Sequence, residues 1–396
     1  MADLIPLSEA QARLLALGVP LPEENAALAD ALGRWAARDI KAIRTQPAAD
    51  LSAMDGYAIR FAEMPGPWRV VGESAAGSGS APALAPHEAV RIFTGAPVPA
   101  GADAILVQEE AAREGDRLVL AGGGPPRVGA HIRRAGGDFT TGDTLIPAAA
   151  RITPARIALA ATGGHGALPV RRRPRIALLS TGDELVPAGA ATPGVCLPSS
   201  NAPMLAAMIA GETPAIVEDR GIVPDDLAAT TAAIAATAGV DILVTTGGAS
   251  VGDRDFVRPA LEAAGAAIDF WRVALKPGKP IMAGRIGDTI VLGLPGNPVS
   301  AFVTARLFLL PLIRHLGGAG TPFDRARPMR LAAPLPATGK RAEYLRGQRV
   351  GARIRPVGSQ DSAALAALAT SEALIVRPPH APPAQPGDVV MILPIA

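Results

Sequence analysis

Several residue types that mark particular protein classes are scarce in this sequence. A single cysteine, Cys196, excludes an internal disulfide framework and favours a reducing compartment. The five histidines form no H-E-x-x-H motif or Cys/His cluster, which argues against a zinc site. Aromatic residues make up 3% of the chain. We therefore expect cores of Ala, Val, Leu and Ile, and no aromatic platform for stacking nucleobases.

An excess of charge of one sign and long apolar runs are also lacking. Lys and Arg number 38 against 36 Asp and Glu, which gives a net charge of +2. The Arg171–Arg173 run has no accompanying basic stripe, so we interpret it as a solvated linker and expect no nucleic-acid partner. The N-terminus has no signal-peptide pattern, and no uninterrupted run reaches about 18 apolar residues. We therefore expect a cytoplasmic protein without membrane association.

What the sequence does contain indicates a globular chain of several domains. Its 396 residues are too many for one ordinary core, and 49% of them are hydrophobic. The pattern changes along the chain and predicts a multidomain α/β plus β fold. The expected domains are a discontinuous helical domain (1–45 and 146–173), a β-rich inserted domain (46–145), a doubly wound, mostly parallel α/β domain (174–322) and a small C-terminal β-barrel-like domain (323–396).

Three helices are expected in the discontinuous domain. Ser8 and Gln11 have the spacing of a capping box, which predicts a helix over about 9–17. Apolar positions spaced by three and four predict a second helix after Pro22, through Trp35. Thr153, followed by proline, predicts the N-cap of a third helix.

Strands and helices alternate between residues 174 and 320, which predicts a doubly wound sheet with mostly parallel strands. In such sheets ligands bind beyond the carboxyl ends of the strands. The strands are predicted over 175–180, 215–217, 241–244, about 268–273 and 289–292, with helices over 201–210, 227–236, 256–264 and 297–316.

The loops that follow these strands carry glycines, hydroxyls, carboxylates and two lysines. Backbone N–H groups of glycine-rich loops and helix N-termini suit phosphate groups, and carboxylates can hold Mg²⁺. We therefore expect a phosphorylated ligand at this edge of the sheet. The loops are STGDE (180–184), GIVPDD (221–226), TTGGAS (245–250), KPGKP (276–280) and LPGNP (294–298).

Simpler roles stay open for single residues of these loops. Asp225, Asp226, Asp253 and Asn297 stand where helices begin, so each is also a candidate N-cap. The sequence does not decide which of Asp225 and Asp226 is functional.

One segment also matches the nucleophile elbow of serine hydrolases, because residues 248–252 spell G-x-S-x-G. In an elbow the serine follows the strand directly, whereas residues 245–249 separate Ser250 from the predicted strand. Neither His315 nor His380 stands in a convincing position for a base. A serine hydrolase that uses Ser250 remains the weaker alternative.

Together these motifs resemble the molybdopterin molybdenumtransferase family, which includes the E domain of gephyrin and its plant counterpart. The matching segments follow the family order from about residue 50 to 362. They are SAMDGYA (52–58), IFTGAPVP (92–99), HIRRAGGD (131–138), STGDEL (180–185), TTGGASVGDRDF (245–256), KPGKP (276–280) and LPGNPVSA (294–301).

The resemblance implies a transferase of molybdenum cofactor biosynthesis. In this family adenylylated molybdopterin and molybdate give molybdenum cofactor and AMP, with Mg²⁺ or a similar divalent cation. A homodimer is implied, with the helical domain as linker and dimerisation domain. Molybdopterin adenylyltransferase and molybdoenzyme maturation proteins are further candidate partners. A non-catalytic molybdopterin-binding carrier or scaffold is the main alternative, and molybdate is not distinguished from tungstate.

The resemblance also implies site residues. The implied catalytic residues are Asp55, Glu184, Asp255, Lys276 and Lys279. The implied metal ligands are Asp138, Asp225 and Asp255. The implied substrate-binding residues are Thr94, Arg133, Thr181, Gly182, Thr246, Gly247, Gly248, Ser250, Pro295, Asn297, Arg346 and Ser362.

Two further implications concern the inserted domain and the departures from the family pattern. Residues of the insertion complete the cleft across the dimer in this family, so Asp55 is expected to serve the partner's site. Gly137 stands where the family often has an acidic residue, which weakens the assignment of Asp138. Ala249 in place of valine and Asp253 in place of glutamate are milder departures.

Overall fold

The computed structural model describes residues 4–77, 82–248 and 256–395. These residues belong to two compact units. The larger unit comprises Met1–Arg38, Ala149–Ile152 and Pro169–Ala396, and the smaller unit comprises Asp39–Ala148 and Thr153–Leu168. The boundaries of the four expected domains stay a prediction.

A six-stranded sheet forms the centre of the larger unit. Its strands are Arg175–Thr181 (β1), Ile216–Val223 (β2), Ile242–Thr246 (β3), Ala267–Arg272 (β4), Pro280–Ile286 (β5) and Thr289–Leu294 (β6). Their spatial order is β2-β1-β3-β6-β5-β4. β2, β1, β3 and β6 pair in parallel, whereas β5 runs antiparallel to both β6 and β4. The mostly parallel sheet is confirmed, and β5 was not predicted.

The direction of β5 decides which loops share an edge. Because β4 and β6 are both antiparallel to β5, they run the same way as the parallel strands. The carboxyl ends of β1, β2, β3, β4 and β6 therefore lie at one edge of the sheet, together with the start of β5. The described residues of all five loops singled out in the sequence lie at this carboxyl edge.

Aliphatic residues build the core around this sheet, as the scarcity of aromatics predicts. All five residues of β3 are buried, as expected for a strand covered on both faces. The segment 298–316 is long and apolar enough to cross a membrane, but 78% of its apolar window is buried within the protein. It is therefore a core helix here. The helices around the sheet are Asn201–Glu212, Leu227–Ala235, Val257–Ala263, Pro298–Thr304 and Leu310–Leu316, the last two joined by a π-helical turn, Ala305–Leu309.

The N-terminal segment differs from its prediction. The first helix is Leu7–Ala16, and no side chain caps it; Gln11 Nε2 instead donates to the Leu307 carbonyl at 2.8 Å. The prediction of a second helix after Pro22 is wrong, because Glu23–Ala27 is a strand and Leu28–Ala31 is a 3-10 turn. Tertiary contacts override the local apolar spacing there: the Arg34 guanidinium is buried and donates to Glu24 and to the Arg171 carbonyl. The third helix, Pro154–Thr162, is confirmed, with Thr153 as its cap.

The Arg171–Arg173 run is not a solvated linker. Arg171 donates to the carbonyls of Leu21 and Ala37. Arg172 forms a bidentate pair with Asp241 at 2.7 and 3.0 Å. These arginines therefore connect the chain before β1 to the rest of the larger unit, which corrects the expectation from sequence.

Most of the remaining strands form a closed C-terminal barrel, which belongs to the larger unit, and the sheets of the smaller unit. In the barrel, Ala342–Val350, Arg353–Pro356, Arg327–Leu331, Val389–Pro394 and Ala373–Arg377 close in this order, because the first and last also pair. A short helix, Leu365–Ala369, precedes its last two strands. The main sheet of the smaller unit has the order Ala104–Val107, Gly56–Ile59, Glu88–Ile92, Trp68–Ser74, Arg117–Leu120, Ala111–Glu114. Shorter strands are Ile40–Lys41, Leu51–Ser52, Ile132–Arg133, Thr144–Ile146, Ala167–Arg171, Leu185–Val186, Leu197–Pro198 and Leu275–Lys276.

Candidate active site

The carboxyl edge of the sheet holds a cavity of about 850 Å³, which we call the rim cavity. A second cavity of about 610 Å³ adjoins the rim cavity, and Gly182, Leu185 and Ser199 line both cavities. The rim cavity is lined by residues 181, 182, 184, 185, 197–201, 225, 246–248, 280, 295–298, 363 and 365.

Glycine is required where the loops after β1 and β3 meet. Gly247 has φ +91°, and a Cβ on it would lie 2.5 Å from the Thr181 carbonyl oxygen. Next to it, Thr181 Oγ1 donates to the Thr246 carbonyl at 3.5 Å, and Thr246 Oγ1 donates to Ser180 Oγ at 3.3 Å. The expected residues Thr181, Thr246 and Gly247 therefore form a tightly packed part of the cavity wall, which brings main-chain groups to its surface.

Two carboxylate residues line the rim cavity, Glu184 and Asp225. The Asp225 N–H donates to Asp183 Oδ1 at 3.0 Å, which connects the loops after β1 and β2. Asp226, in contrast, caps the helix Leu227–Ala235, because its side chain accepts from the Ala229 N–H at 2.8 Å. The two adjacent aspartates thus have different positions: Asp225 lines the cavity and Asp226 is a cap.

The cavity wall also includes a segment of the C-terminal region. Asn297 occupies an N-cap position, but its side chain makes no capping bond and donates to Ser362 Oγ at 3.1 Å. The Ser362 carbonyl accepts from the Val299 N–H at 3.0 Å. The expected residues Asn297 and Ser362 are therefore in direct contact.

Arg346 lies in the barrel and is 1% exposed. Its Nη1 donates to the Asp361 carbonyl at 2.7 Å, on the segment that carries Ser362. Its Nη2 is buried and has no hydrogen-bond partner among the described residues. Burial lowers the pKa of Arg346, and the charge of Asp361 partly opposes this. Because arginine stays protonated in proteins, its positive charge lies beside the segment that carries Ser362.

The KPGKP segment connects the carboxyl edge to the barrel. Leu275–Lys276 pairs in parallel with Ala342 and Glu343, and Lys276 Nζ lies 3.2 Å from Glu343 Oε1. Lys276 and Lys279 are both exposed, and Pro280 at the end of the segment lines the rim cavity. Neither lysine is among the residues that line the rim cavity: Lys279 directly precedes Pro280, and Lys276 is paired with Glu343.

Three polar residues of the cavity wall were not predicted from the sequence. Ser199, Ser200 and Asn201 line the rim cavity where the helix Asn201–Glu212 begins. Asn201 Nδ2 donates to the Gly296 carbonyl at 2.7 Å, which fixes the loop after β6. The polar run Ser-Ser-Asn before a helix was the available signal, and it indicated only a helix start.

The smaller unit brings together the three motifs expected from the inserted domain. Leu51–Ser52 pairs antiparallel with Ile132–Arg133, and the Ser52 carbonyl accepts from the Gly95 N–H at 2.8 Å. The segments 52–58, 92–99 and 131–138 are therefore adjacent, although they are far apart in sequence.

Within these motifs one carboxylate is strongly hydrogen-bonded. Asp55 Oδ1 accepts from the Thr94 N–H at 2.7 Å and from Thr94 Oγ1 at 2.8 Å. These bonds, the backbone bond first, lower the pKa of Asp55. Arg133 and Asp138 are exposed on the neighbouring segment. We call Asp55, Thr94 and their neighbours Arg91 and Gln108 the Asp55 cluster.

Ser250, Asp253 and Asp255 lie outside the described residues. Of the other implied metal ligands, Asp138 belongs to the smaller unit and Asp225 to the larger. Within the described ranges, no group of three or more His, Cys, Asp or Glu side chains is arranged to hold a metal ion.

The chain matches three protein families along its length. Residues 5–164 match the MoeA N-terminal region (domain I and II). Residues 177–315 match the family described as a probable molybdopterin binding domain. Residues 328–395 match the MoeA C-terminal region (domain IV). These matches define the class of protein as one related to molybdopterin biosynthesis.

Individual relatives and solved structures narrow this class. A molybdopterin molybdenumtransferase of Bacillus subtilis is 33% identical over 405 residues, which cover 98% of this chain and 94% of the relative. One of Haemophilus influenzae is 35% identical over 319 residues, or 80% of this chain and 78% of the relative. The crystal structure of a molybdopterin biosynthesis MoeA protein of Pyrococcus horikoshii OT3 has a TM-score of 0.85 at 25% identity and covers 99% of this chain and 100% of its own. The chain belongs to the molybdopterin molybdenumtransferase family, as its motifs predict.

Proposed function

We propose that this protein inserts molybdate into adenylylated molybdopterin, releasing AMP and giving molybdenum cofactor. The observation that carries the proposal is the rim cavity. It combines a glycine-rich main-chain surface, two carboxylates and a segment with Ser362, all at the edge of the sheet where α/β folds bind ligands.

The size and lining of the two adjoining cavities suit a ligand of two parts. Adenylylated molybdopterin has a pterin half and a nucleotide half joined by a phosphoanhydride. The loop at Gly247 and Gly248 suits its phosphates, because residues without a Cβ allow a close approach to the main chain. Thr181, Gly182 and Pro295 complete this wall, and Ser250 belongs to the same loop by sequence.

Glu184 and Asp225 fit the expected divalent cation. Mg²⁺ in phosphate sites is usually held by one or two carboxylates, with water and substrate phosphates as its other ligands. Two carboxylates on one cavity wall meet this requirement, and Asp255 is a further candidate from its motif. The bound cation would neutralise phosphate charge and polarise the anhydride.

Positive charge near the barrel suits the molybdate dianion. Lys276 and Lys279 belong to the exposed segment that ends at Pro280 of the cavity wall, and Arg346 supports the segment that carries Ser362. Ser362 and Asn297 are available as hydrogen-bond donors to an oxyanion. Water then cleaves the anhydride and releases AMP. The two dithiolene sulfurs replace one oxo group of molybdate, which leaves as water with the two thiol protons.

The Asp55 cluster is proposed to take part in the same reaction within a homodimer. Thr94 donates two hydrogen bonds to Asp55 and fixes its orientation, and a fixed carboxylate can orient water or a cation. Arg133 and Asp138 on the adjacent segment would complete this surface. We further propose that the protein acts in the cytoplasm, where molybdopterin adenylyltransferase would supply its substrate and molybdoenzyme maturation proteins would take its product.

The test is AMP release from adenylylated molybdopterin, measured with and without molybdate and Mg²⁺. We expect molybdate-dependent release that falls about 100-fold in Glu184→Gln. Glu9→Gln is the matched control, because Glu9 is an exposed helix residue paired with Arg13 at 3.6 Å. Its rate should equal that of the wild type.

The alternatives predict different results in this assay. A carrier or scaffold would bind the adenylylate without releasing AMP, and Glu184→Gln would leave that binding unchanged. A serine hydrolase would react with a phosphonate probe at Ser250. Of its two candidate bases, His315 already places Nε2 3.0 Å from the Gly18 carbonyl oxygen.

A further inference from the structure

The backbone around Asp55 is fixed from both sides. The Asp55 carbonyl accepts from the Gln108 N–H at 3.1 Å, while its carboxylate accepts from Thr94. The next residue has no room for a side chain: a Cβ on Gly56 would lie 2.0 Å from the Leu106 carbonyl oxygen. The Asp-Gly pair is therefore required by close packing of two strands, and a turn does not explain it.

One side chain contacts the chain on both sides of the Asp55–Thr94 pair. Arg91 Nη1 donates to the Gly56 carbonyl at 3.0 Å, and its Nη2 donates to Gln108 Oε1 at 2.7 Å. Its guanidinium carbon lies 5.2 Å from the Tyr57 ring centroid and 4.8 Å from the Phe93 ring centroid. Gly56 and Tyr57 follow Asp55, and Phe93 precedes Thr94.

These contacts use properties that are specific to arginine. A planar guanidinium can donate two hydrogen bonds in its plane and contact aromatic rings at the same time. A lysine ammonium in this position would keep the charge but could not reproduce the two in-plane hydrogen bonds of the guanidinium. The described contacts include no hydrogen bond or ion pair between Arg91 and Asp55 themselves. Arg91 instead contacts residues next to Asp55 and Thr94 in the chain.

We propose that Arg91 is a positioning residue for the transfer reaction, which holds the Asp55 carboxylate in place through the residues on either side of the Asp55–Thr94 pair. The inference rests on the proposed function, because it assumes that Asp55 takes part in that reaction. A second Asp–Thr pair of the smaller unit provides a contrast. Asp143 accepts from the Thr140 N–H and Oγ1 at 2.7 and 2.9 Å, and the causes of its lowered pKa include no arginine.

The first test is a double-mutant cycle on the rate of AMP release by the full-length protein. Arg91→Met should lower kcat about tenfold to hundredfold, because a displaced catalytic group loses much of its effect. The double variant Arg91→Met/Asp55→Asn should be no slower than Asp55→Asn alone. Arg91→Lys should recover part of kcat. Losses that multiply in the double variant would overturn the proposal, since they would mean that Arg91 acts independently of Asp55.

The control is Arg69→Met. Arg69 also lies in the main sheet of the smaller unit, but its side chain is 69% exposed and pairs with Glu88 at 2.7 Å. It should keep the wild-type rate. If Arg69→Met and Arg91→Met slow the reaction equally, the effect of Arg91 is a general loss of sheet stability, and the proposal is wrong.

A second readout does not depend on turnover. In a carbon-13 NMR titration, Arg91→Met should raise the pKa of Asp55 and leave that of Asp143 unchanged. An unchanged Asp55 pKa would overturn the proposal. If the wild type releases no AMP at all, the proposed function fails, and the titration still decides whether Arg91 controls the state of Asp55.

Discussion

The rim cavity and the Asp55 cluster are built in opposite ways. At the rim, sheet topology brings several loops to one edge, and the result is an open space with polar groups on its wall. In the Asp55 cluster, direct hydrogen bonds between distant segments hold one carboxylate, which already has its donors. The first arrangement suits binding of a large ligand, and the second suits a fixed charge.

Because of this difference, we expect substitutions at the rim cavity to change the affinity for the nucleotide and substitutions in the Asp55 cluster to change the reaction rate. Variants that change the shape of the rim cavity should lower the affinity for the nucleotide. Variants of the Asp55 cluster should lower the rate while the affinity is kept, because they alter the charge or position of one group. Substitutions in the two regions can therefore be compared directly.

The largest effect is expected from the two neighbouring aspartates at the rim. Asp225→Ala removes a carboxylate of the cavity wall, so AMP release should fall about 100-fold. Asp226→Ala removes only the cap on the Ala229 N–H, so the free energy of unfolding should fall by about 1 kcal/mol at an unchanged rate. The rate of AMP release and the free energy of unfolding in urea should be measured for both variants. Equal rates in the two variants would exclude a role for Asp225 in the reaction.

An intermediate effect is expected from the shape of the rim. Gly247→Ala should lower the affinity for AMP about tenfold, because the new Cβ would have to displace the Thr181 carbonyl. Gly265→Ala is the matched control, since Gly265 has φ +83° and a Cβ added there would meet nothing within 4 Å. Gly265→Ala should lose roughly 1–2 kcal/mol of stability through backbone strain alone. Gly247→Ala should lose more, because its Cβ would also lie 2.5 Å from the Thr181 carbonyl oxygen. Calorimetric titration with AMP should show a lower affinity for Gly247→Ala than for Gly265→Ala. Equal affinities of the two variants would mean that the cavity wall at Gly247 does not contact the nucleotide.

The rim was largely predictable from the sequence. Alternating strands and helices determine where the strands end, and the loops after them carry the polar residues. β5 was missed because its run PIMAGRI begins with proline, contains glycine and returns antiparallel, outside the strand–helix alternation. Ser199, Ser200 and Asn201 were missed because they follow a long excursion after β1, and spacing alone does not show where that excursion returns.

The Asp55 cluster was predictable only through the family resemblance. Asp55 and Thr94 are 39 positions apart, and no periodicity relates them. The same is true of the N-terminal segment, where buried Arg34 binds the Arg171 carbonyl and a helical pattern becomes a strand. Long-range hydrogen bonds of single side chains leave no local pattern in a sequence.

The smallest effect is expected from the hydroxyl groups beside the two hydrogen-bonded aspartates of the smaller unit. Thr94→Val and Thr140→Val each remove one donor and keep the backbone N–H. The pKa values of Asp55 and Asp143 should therefore rise toward the ordinary value of 3.8 but stay below it. Carbon-13 NMR titration measures both shifts.

The sign of the pH dependence follows from the direction of these shifts. A carboxylate with a lowered pKa in the folded state stabilises the fold above its unfolded pKa, and this contribution is lost as the pH falls through the folded value. Both valine variants should therefore be less stable than the wild type at neutral pH and approach it in acid. Only Thr94→Val should also slow AMP release, by about threefold to tenfold. If Thr140→Val slows the reaction as much, the two pairs are equivalent, and Asp55 has no special part in the chemistry.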